Sequence, residues 1–250
     1  MTIRSPNIEI LEIAAARLGE LRDELVFLGG CATGLLISDI AAPPIRMTRD
    51  VDVIAEVASL SDYHRLSARL RDKGFREDLS DDAPICRWVA DAVILDLMPT
   101  DARILGFGNR WYAPALRAAV RVELPSGETV NSVSAPYFLA TKLEAFDGRG
   151  NGDYLTSHDI EDLVAVIDGR AELLTELADS ADDLKSYLAD RFASLLVTRA
   201  FMDALPGHLS PGRAEQSRIP LVTDRIQVIA RAGSKRVESK GESSDGSEES

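Results

Sequence analysis

A chain of 250 residues, 45% hydrophobic and 28% charged, can bury a sizeable core and hold one domain or two small ones. Its 28 basic and 41 acidic residues give a formal charge of −13, which opposes tight binding to long DNA or RNA, because the phosphate backbone supplies most nonspecific affinity. No apolar run approaches the roughly twenty residues needed to cross a bilayer, and an amphipathic start with Glu9, Glu12 and Arg17 replaces a signal peptide's apolar core. No membrane partner and a cytoplasmic location are therefore expected. Cys31 and Cys86 are far apart, with no Cys-x-x-Cys and no clustered histidine, which argues against zinc.

Apolar positions at helical spacing, Ile10, Ile13, Ala14, Leu18 and Leu21, predict a first amphipathic helix over residues 8–22. Leu25-Val26-Phe27-Leu28 reads as a short buried strand, Gly29-Gly30 as a tight turn, and the run from Ala32 to Ile37 as a helix. That turn is either a plain connection or a point where the backbone approaches a phosphate, since a helix N-terminus offers free N–H groups to an anion. Cys31 beside it is either a nucleophile without an evident His partner or a small buried thiol. After the loop Ala42-Pro43-Pro44-Ile45 comes Thr48-Arg49-Asp50-Val51-Asp52-Val53. Alternate strand residues share a face, so Asp50 and Asp52 present two carboxylates together. They are either a solvated strand end or hard-oxygen ligands for one or two Mg²⁺ ions, as in-line displacement at phosphorus uses.

Residues 60–74 predict a further helix, capped by Ser61 and closed by Gly74, with Leu66 and Leu70 buried and His64 on its surface. Three β-rich segments, at residues 75–77, 85–89 and 93–98, then read as a meander. Asp96 lies within the apolar run of the third, where an unpaired carboxylate is costly to bury; Arg87 or Arg76 could pair with it. Arg110-Trp111-Tyr112 reads as an exposed aromatic cluster on a loop, residues 121–130 as a hairpin turning at Pro125-Ser126-Gly127, and Ser134-Ala135-Pro136 as a helix start.

That helix carries Lys142, and the next one follows Ser157. Asp159 and Asp162 either stabilise its first turn as acids or face a ligand. One or two amphipathic helices are expected over residues 171–204, a connecting loop around His208, and a helix over 220–232 with Leu221, Ile226, Val228 and Ile229 as candidate buried positions. Between Arg213 and Lys240 lie seven basic residues against three acidic ones, either a solvated helix face or a stripe for a short nucleic acid. Residues 233–250, rich in Ser, Gly, Glu and Lys, are expected to be disordered.

In order and spacing, the strand, Gly29-Gly30, the helix, the Pro-containing loop and Asp50-x-Asp52 resemble the signature of the DNA polymerase beta-like nucleotidyltransferase superfamily. The stretch from Ala135 to Phe146, a Gly/Asn/Asp loop and the stretch from Ser157 to Leu163 narrow the likeness to the AbiEii/AbiGii-type nucleotidyltransferase toxin family, over roughly residues 25 to 170. The resemblance implies an α+β fold: a nucleotidyltransferase core over residues 1–132, with a mixed sheet flanked by helices, a helical half over 133–232, and the tail 233–250. It implies Mg²⁺, two ions included, at Asp50, Asp52 and Asp96, with Asp96 as third carboxylate or as base toward the incoming hydroxyl. Gly29, Gly30, Thr48 and Arg49 would meet the nucleotide, and Lys142 and Asp159 would clamp it from the helical half.

A nucleoside triphosphate would then give its nucleoside monophosphate to an acceptor hydroxyl. The first expectation for the acceptor is RNA, a tRNA 3′ end included, with the protein as the toxin of a toxin–antitoxin or phage-defence pair and a cognate antitoxin as partner. The second is a small molecule of the aminoglycoside kind, which the acidic balance suits. The third, binding of nucleotide or a partner without turnover, is opposed by the intact acids at 50, 52 and 96.

Overall fold

The structure, a computed structural model, describes residues 6–232; the expected disordered tail, with Lys235, Arg236 and Lys240, lies outside them. Seven strands form one mixed sheet: β1 (Leu25–Leu28), β2 (Asp50–Ala55), β3 (Arg76–Glu77), β4 (Arg87–Ala90), β5 (Val93–Pro99), β6 (Val120–Glu123) and β7 (Thr129–Ser132). Their spatial order is β3-β4-β5-β2-β1-β7-β6. The expected meander is present as the antiparallel run β3-β4-β5, and the expected hairpin as β6-β7. Among the described residues no helix is long and apolar enough to cross a membrane.

Side chains alternate across the central strands and build two cores. Leu25 and Phe27 of β1, Val51, Val53 and Ala55 of β2, and Leu95 and Leu97 of β5 face one side. There they meet Leu11, Ala14, Ala15 and Leu18 of α1 (Pro6–Leu18) and Tyr63, Leu66 and Leu70 of α3 (Leu60–Asp72), while α2 (Gly29–Leu36) links β1 to the loop before β2. Val26, Leu28, Ile54 and Met98 face the other side and join the core of the helical half. Covered on both faces, β1 reads as an unbroken apolar run, as a buried central strand must. Asp50, Asp52 and Asp96 share the second side, at the level where the sheet meets the helices.

The short α4 (Tyr112–Arg117) precedes β6 and packs against the helical half, which runs through α5 (Ala135–Arg149), α6 (His158–Gly169), α7 (Leu173–Ala178), α8 (Asp182–Val197), α9 (Arg199–Ala204), α10 (Arg213–Gln216) and α11 (Ile219–Arg231). Pro136 falls in the first turn of α5, where the missing N–H costs nothing. Every residue from Ala135 to Leu143 is buried, so α5 is the central pillar of this half.

Several expectations are corrected. Ser59, not Ser61, caps α3, its Oγ accepting the Asp62 N–H at 3.1 Å. Arg110-Trp111-Tyr112 is no exposed cluster: Trp111 is 5% exposed, packed beside Tyr137 and Tyr187, and Tyr112 opens α4. On α11 the buried stripe is Val222, Ile226 and Ile229, while Leu221 and Val228 point outward, 38% and 48% exposed. Four- and three-residue steps select one helical face, and Leu221 and Val228 fall on the neighbouring one.

Of the basic stripe's described residues, Arg213 and Arg231 are exposed, but Arg218 and Arg225 are not free. Arg218 Nε donates to both carboxylate oxygens of Asp168 and its Nη2 to Asp39, and Arg225 Nη1 donates to the carbonyls of Ile167, Asp168 and Arg170. Both arginines satisfy the carboxyl end of α6, where carbonyls lack helical partners and the dipole favours cations. His208 ends a 3₁₀ turn over Leu205–His208. In urea melts, Ile226→Ala is expected to cost about 2–5 kcal/mol, whereas Val228→Ala should stay within about 0.5 kcal/mol; equal losses would reverse the facing assigned to α11.

Candidate active site

Strand register brings the sheet acids together. β2 and β5 run parallel with Asp52 beside Asp96, and Asp50 lies two residues earlier on the same face of β2. β1 runs antiparallel to β2 with Leu28 opposite Asp52, so the next residue, Gly29, falls against the Asp52 side chain. Gly29 has φ +70°, and a Cβ there would sit 1.8 Å from Asp52 Oδ2. A Cβ on Gly30 would sit 2.5 Å from Arg46 Nη2. The two glycines thus make room for the protein's own Asp52 and Arg46 at the start of α2.

The facing wall comes from α5 and α6. Ser157 Oγ accepts the Ile160 N–H and sets the start of α6. Asp159 and Asp162, three residues apart, then lie on one face of that helix. Lys142 of α5 donates to both, at 3.2 Å to Asp159 Oδ1 and 2.6 Å to Asp162 Oδ2, and all three are buried. Arg46, from the loop before β2, forks Asp162 with two bonds of 2.8 Å. Arg149, at the end of α5, forks Asp159 with two of 2.9 Å. These two acids are more than first-turn charges, because their partners come from other elements.

Sheet and wall enclose a cleft of about 650 Å³. Among its lining residues are Gly30, Arg46, Thr48, Asp50, Asp52, Arg87, Asp96, Lys142, Arg149, His158 and Asp159. Gly29 opens instead on a small adjoining hollow that Asp52, Lys142, Arg149 and Asp159 also line. Arg49 is exposed and lines neither. Sequence reading missed Arg46, Arg149 and Asn7. Asn7, buried on α1, donates to the carbonyls of Gly30 and Arg46 and accepts the Thr48 N–H, clamping the approach to β2. Nothing local marks Asn7, but the charge of Arg149, immediately before Gly150-Asn151, could have been weighed beside Lys142.

The acids differ in their surroundings. Asp96 accepts from Arg87 with both oxygens, at 2.8 and 2.7 Å, because antiparallel β4 places Arg87 directly opposite. Asp50 accepts from the Thr48 hydroxyl and, at 3.3 Å, from Arg87 Nη2. Asp52 receives no hydrogen bond from any described residue. Burial, then repulsion from Asp50, raises its pKa to about 7 against the pull of Lys142. At Asp159 burial pushes up, but the bonds and charges of Arg149 and Lys142 prevail and hold the carboxyl below its usual range.

Burial pushes the Cys31 thiol far up, with Asp52 and Asp50 adding to it, so its environment suits an inert thiol and not a nucleophile. Asp50 and Asp52 fit a divalent ion: they are hard-oxygen donors, one of them an uncompensated carboxylate that a cation would relieve. Asp96 has its oxygens already engaged, and among the described residues no three His, Cys, Asp or Glu side chains gather as a metal-binding group.

No protein-family model matches this sequence, and comparison with curated proteins finds no match. Fold and site together define a protein of mixed α+β class whose charged cleft lies between a seven-stranded sheet and a helical half.

The raised pKa of Asp52 has a stability consequence. The folded state keeps its proton up to about pH 7, whereas the unfolded chain releases it near pH 4. The carboxyl's contribution is therefore complete below about pH 4 and lost as pH rises through 7. With a chelator present, Asp52→Asn is expected to melt several degrees above the parent at pH 8 and close to it at pH 4.5; a difference that grows toward acid would contradict the assignment.

Proposed function

We propose that the protein is a metal-dependent nucleotidyltransferase. The observation that carries the reading is the single cleft in which Asp50 and Asp52 face the ion-paired Lys142 and Asp159 of the helical half. Two carboxylates on one strand face and cations on the opposite wall are what a triphosphate and its counter-ion require.

Asp50 and Asp52 would hold a divalent ion, which when bound neutralises phosphate charge and polarises the reacting oxygens. Arg149, 72% exposed, is the wall's accessible cation, and its fork to Asp159 leaves Nη1 for a phosphate oxygen. Lys142, enclosed by two carboxylates, fixes Asp159 and Asp162 and sets a positive field toward Asp52. An acceptor hydroxyl would attack the α-phosphorus in line and release its proton to solvent; the new phosphorus–oxygen bond forms as the bond to the bridging oxygen breaks, and pyrophosphate leaves. The protein's share of the work is positioning and charge complementarity.

RNA is the first acceptor class on this reading, in the toxin-like role that the family resemblance implies. A small-molecule hydroxyl is the second. One observation favours it: Arg218 and Arg225, which an RNA track would use, are engaged with Asp39, Asp168 and backbone carbonyls. Incubation with Mg²⁺ and each labelled nucleoside triphosphate, together with total RNA or an aminoglycoside panel, tests both. Label should enter one acceptor fraction, and Asp50→Ala should lower the rate by at least about a hundredfold. Transfer to neither fraction, or equal labelling by Asp50→Ala, would overturn the proposal.

A further inference from the structure

The third carboxylate on the sheet side of the cleft, Asp96, has a different part to play from Asp50 and Asp52. We propose that Asp96 is not a metal ligand but the anchor of Arg87, and that Arg87 is the sheet-side residue that binds the substrate's phosphate; the inference rests on the nucleotidyl-transfer reading above.

Cross-strand pairing fixes the arrangement, since Arg87 of β4 stands directly opposite Asp96 of β5. Nε and Nη2 of the guanidinium take Oδ1 and Oδ2 at 2.8 and 2.7 Å, a fork that uses both carboxylate oxygens. Asp96 is buried, so turning it to an ion would strip a charge from its partner in a poorly hydrated place. Asp50 is held much less firmly. It is 37% exposed and meets Arg87 through a single contact of 3.3 Å. Asp50 Oδ1 also accepts the Thr48 hydroxyl, so an ion drawing on Asp50 and Asp52 competes with that neutral bond and with the one weak Arg87 contact, and leaves the fork intact.

Release of Asp50 also completes an anion site. Arg87 would then present its end-on edge: Nη1, which donates to no described residue, and the outward N–H of Nη2, whose other N–H is held in the fork to Asp96. Its side chain is 22% exposed and lines the cleft beside Asp50. A planar guanidinium held along one edge offers the other to two phosphate oxygens without losing further rotamer freedom. Lys142 has no such surplus, being enclosed between Asp159 and Asp162. Asp96 is on this account a positioning residue, and Arg87 a binding residue.

Calorimetric titration of the full chain with Mn²⁺, and with inorganic tripolyphosphate in the presence of Mn²⁺, separates these roles. Asp96→Asn, isosteric and still able to accept one bond, should change Mn²⁺ affinity less than about threefold, whereas Asp52→Asn should lower it about tenfold or more. Tripolyphosphate affinity should fall about tenfold in Arg87→Gln and comparably in Asp96→Asn, and less in the charge-preserving Arg87→Lys. Thermal melts identify any variant that has lost its fold. Loss of Mn²⁺ binding in Asp96→Asn as severe as in Asp52→Asn would overturn this inference alone, as would an unchanged tripolyphosphate affinity in Arg87→Gln. A parent protein that binds neither probe would overturn the nucleotidyl-transfer reading and this inference with it.

Discussion

A chain of alternating charges runs through the interior where sheet and helices meet: Arg46, Asp162, Lys142, Asp159, Arg149. Three separate elements supply it, the loop before β2, α5 and α6, and each member is fixed by its neighbours. Breaking such a pair from one side leaves an uncompensated buried charge, which costs about 3–5 kcal/mol. The loop that delivers Asp50 and Asp52, and the helices opposite, are therefore held in one geometry by electrostatics as well as by packing. Burial of Leu139, Leu143, Ile160 and Leu163 around the network keeps water away and strengthens it.

The network also explains the glycines. Arg46 can lie across the start of α2 only because Gly30 has no side chain, and Asp52 can approach the same turn only because Gly29 has none and takes φ +70°. The three cations outnumber the two acids in that chain by one. The excess positive charge bears on Asp52, whose carboxylate has no donor of its own, while Asp50 and Asp96 bear on it with the opposite sign. Asp52 is thus the group on which the surrounding charges are least balanced, and it sits inside the cleft.

What the sequence revealed follows local periodicity. The period of two put Asp50 and Asp52 on one face, the apolar run around Asp96 marked a strand, and Pro136 and Ser157 marked helix starts, all of which the fold contains. Period alone did not distinguish which helix face is buried when two apolar stripes adjoin, so Leu221 and Val228 were misplaced. Nor did it show that Trp111 would be covered by Tyr137 and Tyr187, residues distant in sequence. Arg46 escaped for the same reason, meeting its partner 116 residues away, whereas Arg149 meets Asp159 only 10 residues on and was within reach of a local reading. Arginines read by composition alone looked like a basic stripe, yet Arg218 and Arg225 belong to the end of α6. The family resemblance, by contrast, singled out Lys142 and Asp159 as residues of the helical half, and a direct bond joins the two.

On the proposed function, the cleft between sheet and helices takes a divalent ion together with a nucleoside triphosphate. Crystals grown with Mn²⁺ and a non-hydrolysable triphosphate analogue, with anomalous diffraction measured at the manganese edge, test it most directly. The account predicts an anomalous peak bridged by the carboxylates of Asp50 and Asp52, with the triphosphate lying between Arg87 and Arg149. A peak elsewhere on the molecule, or an analogue bound outside this cleft, would contradict it.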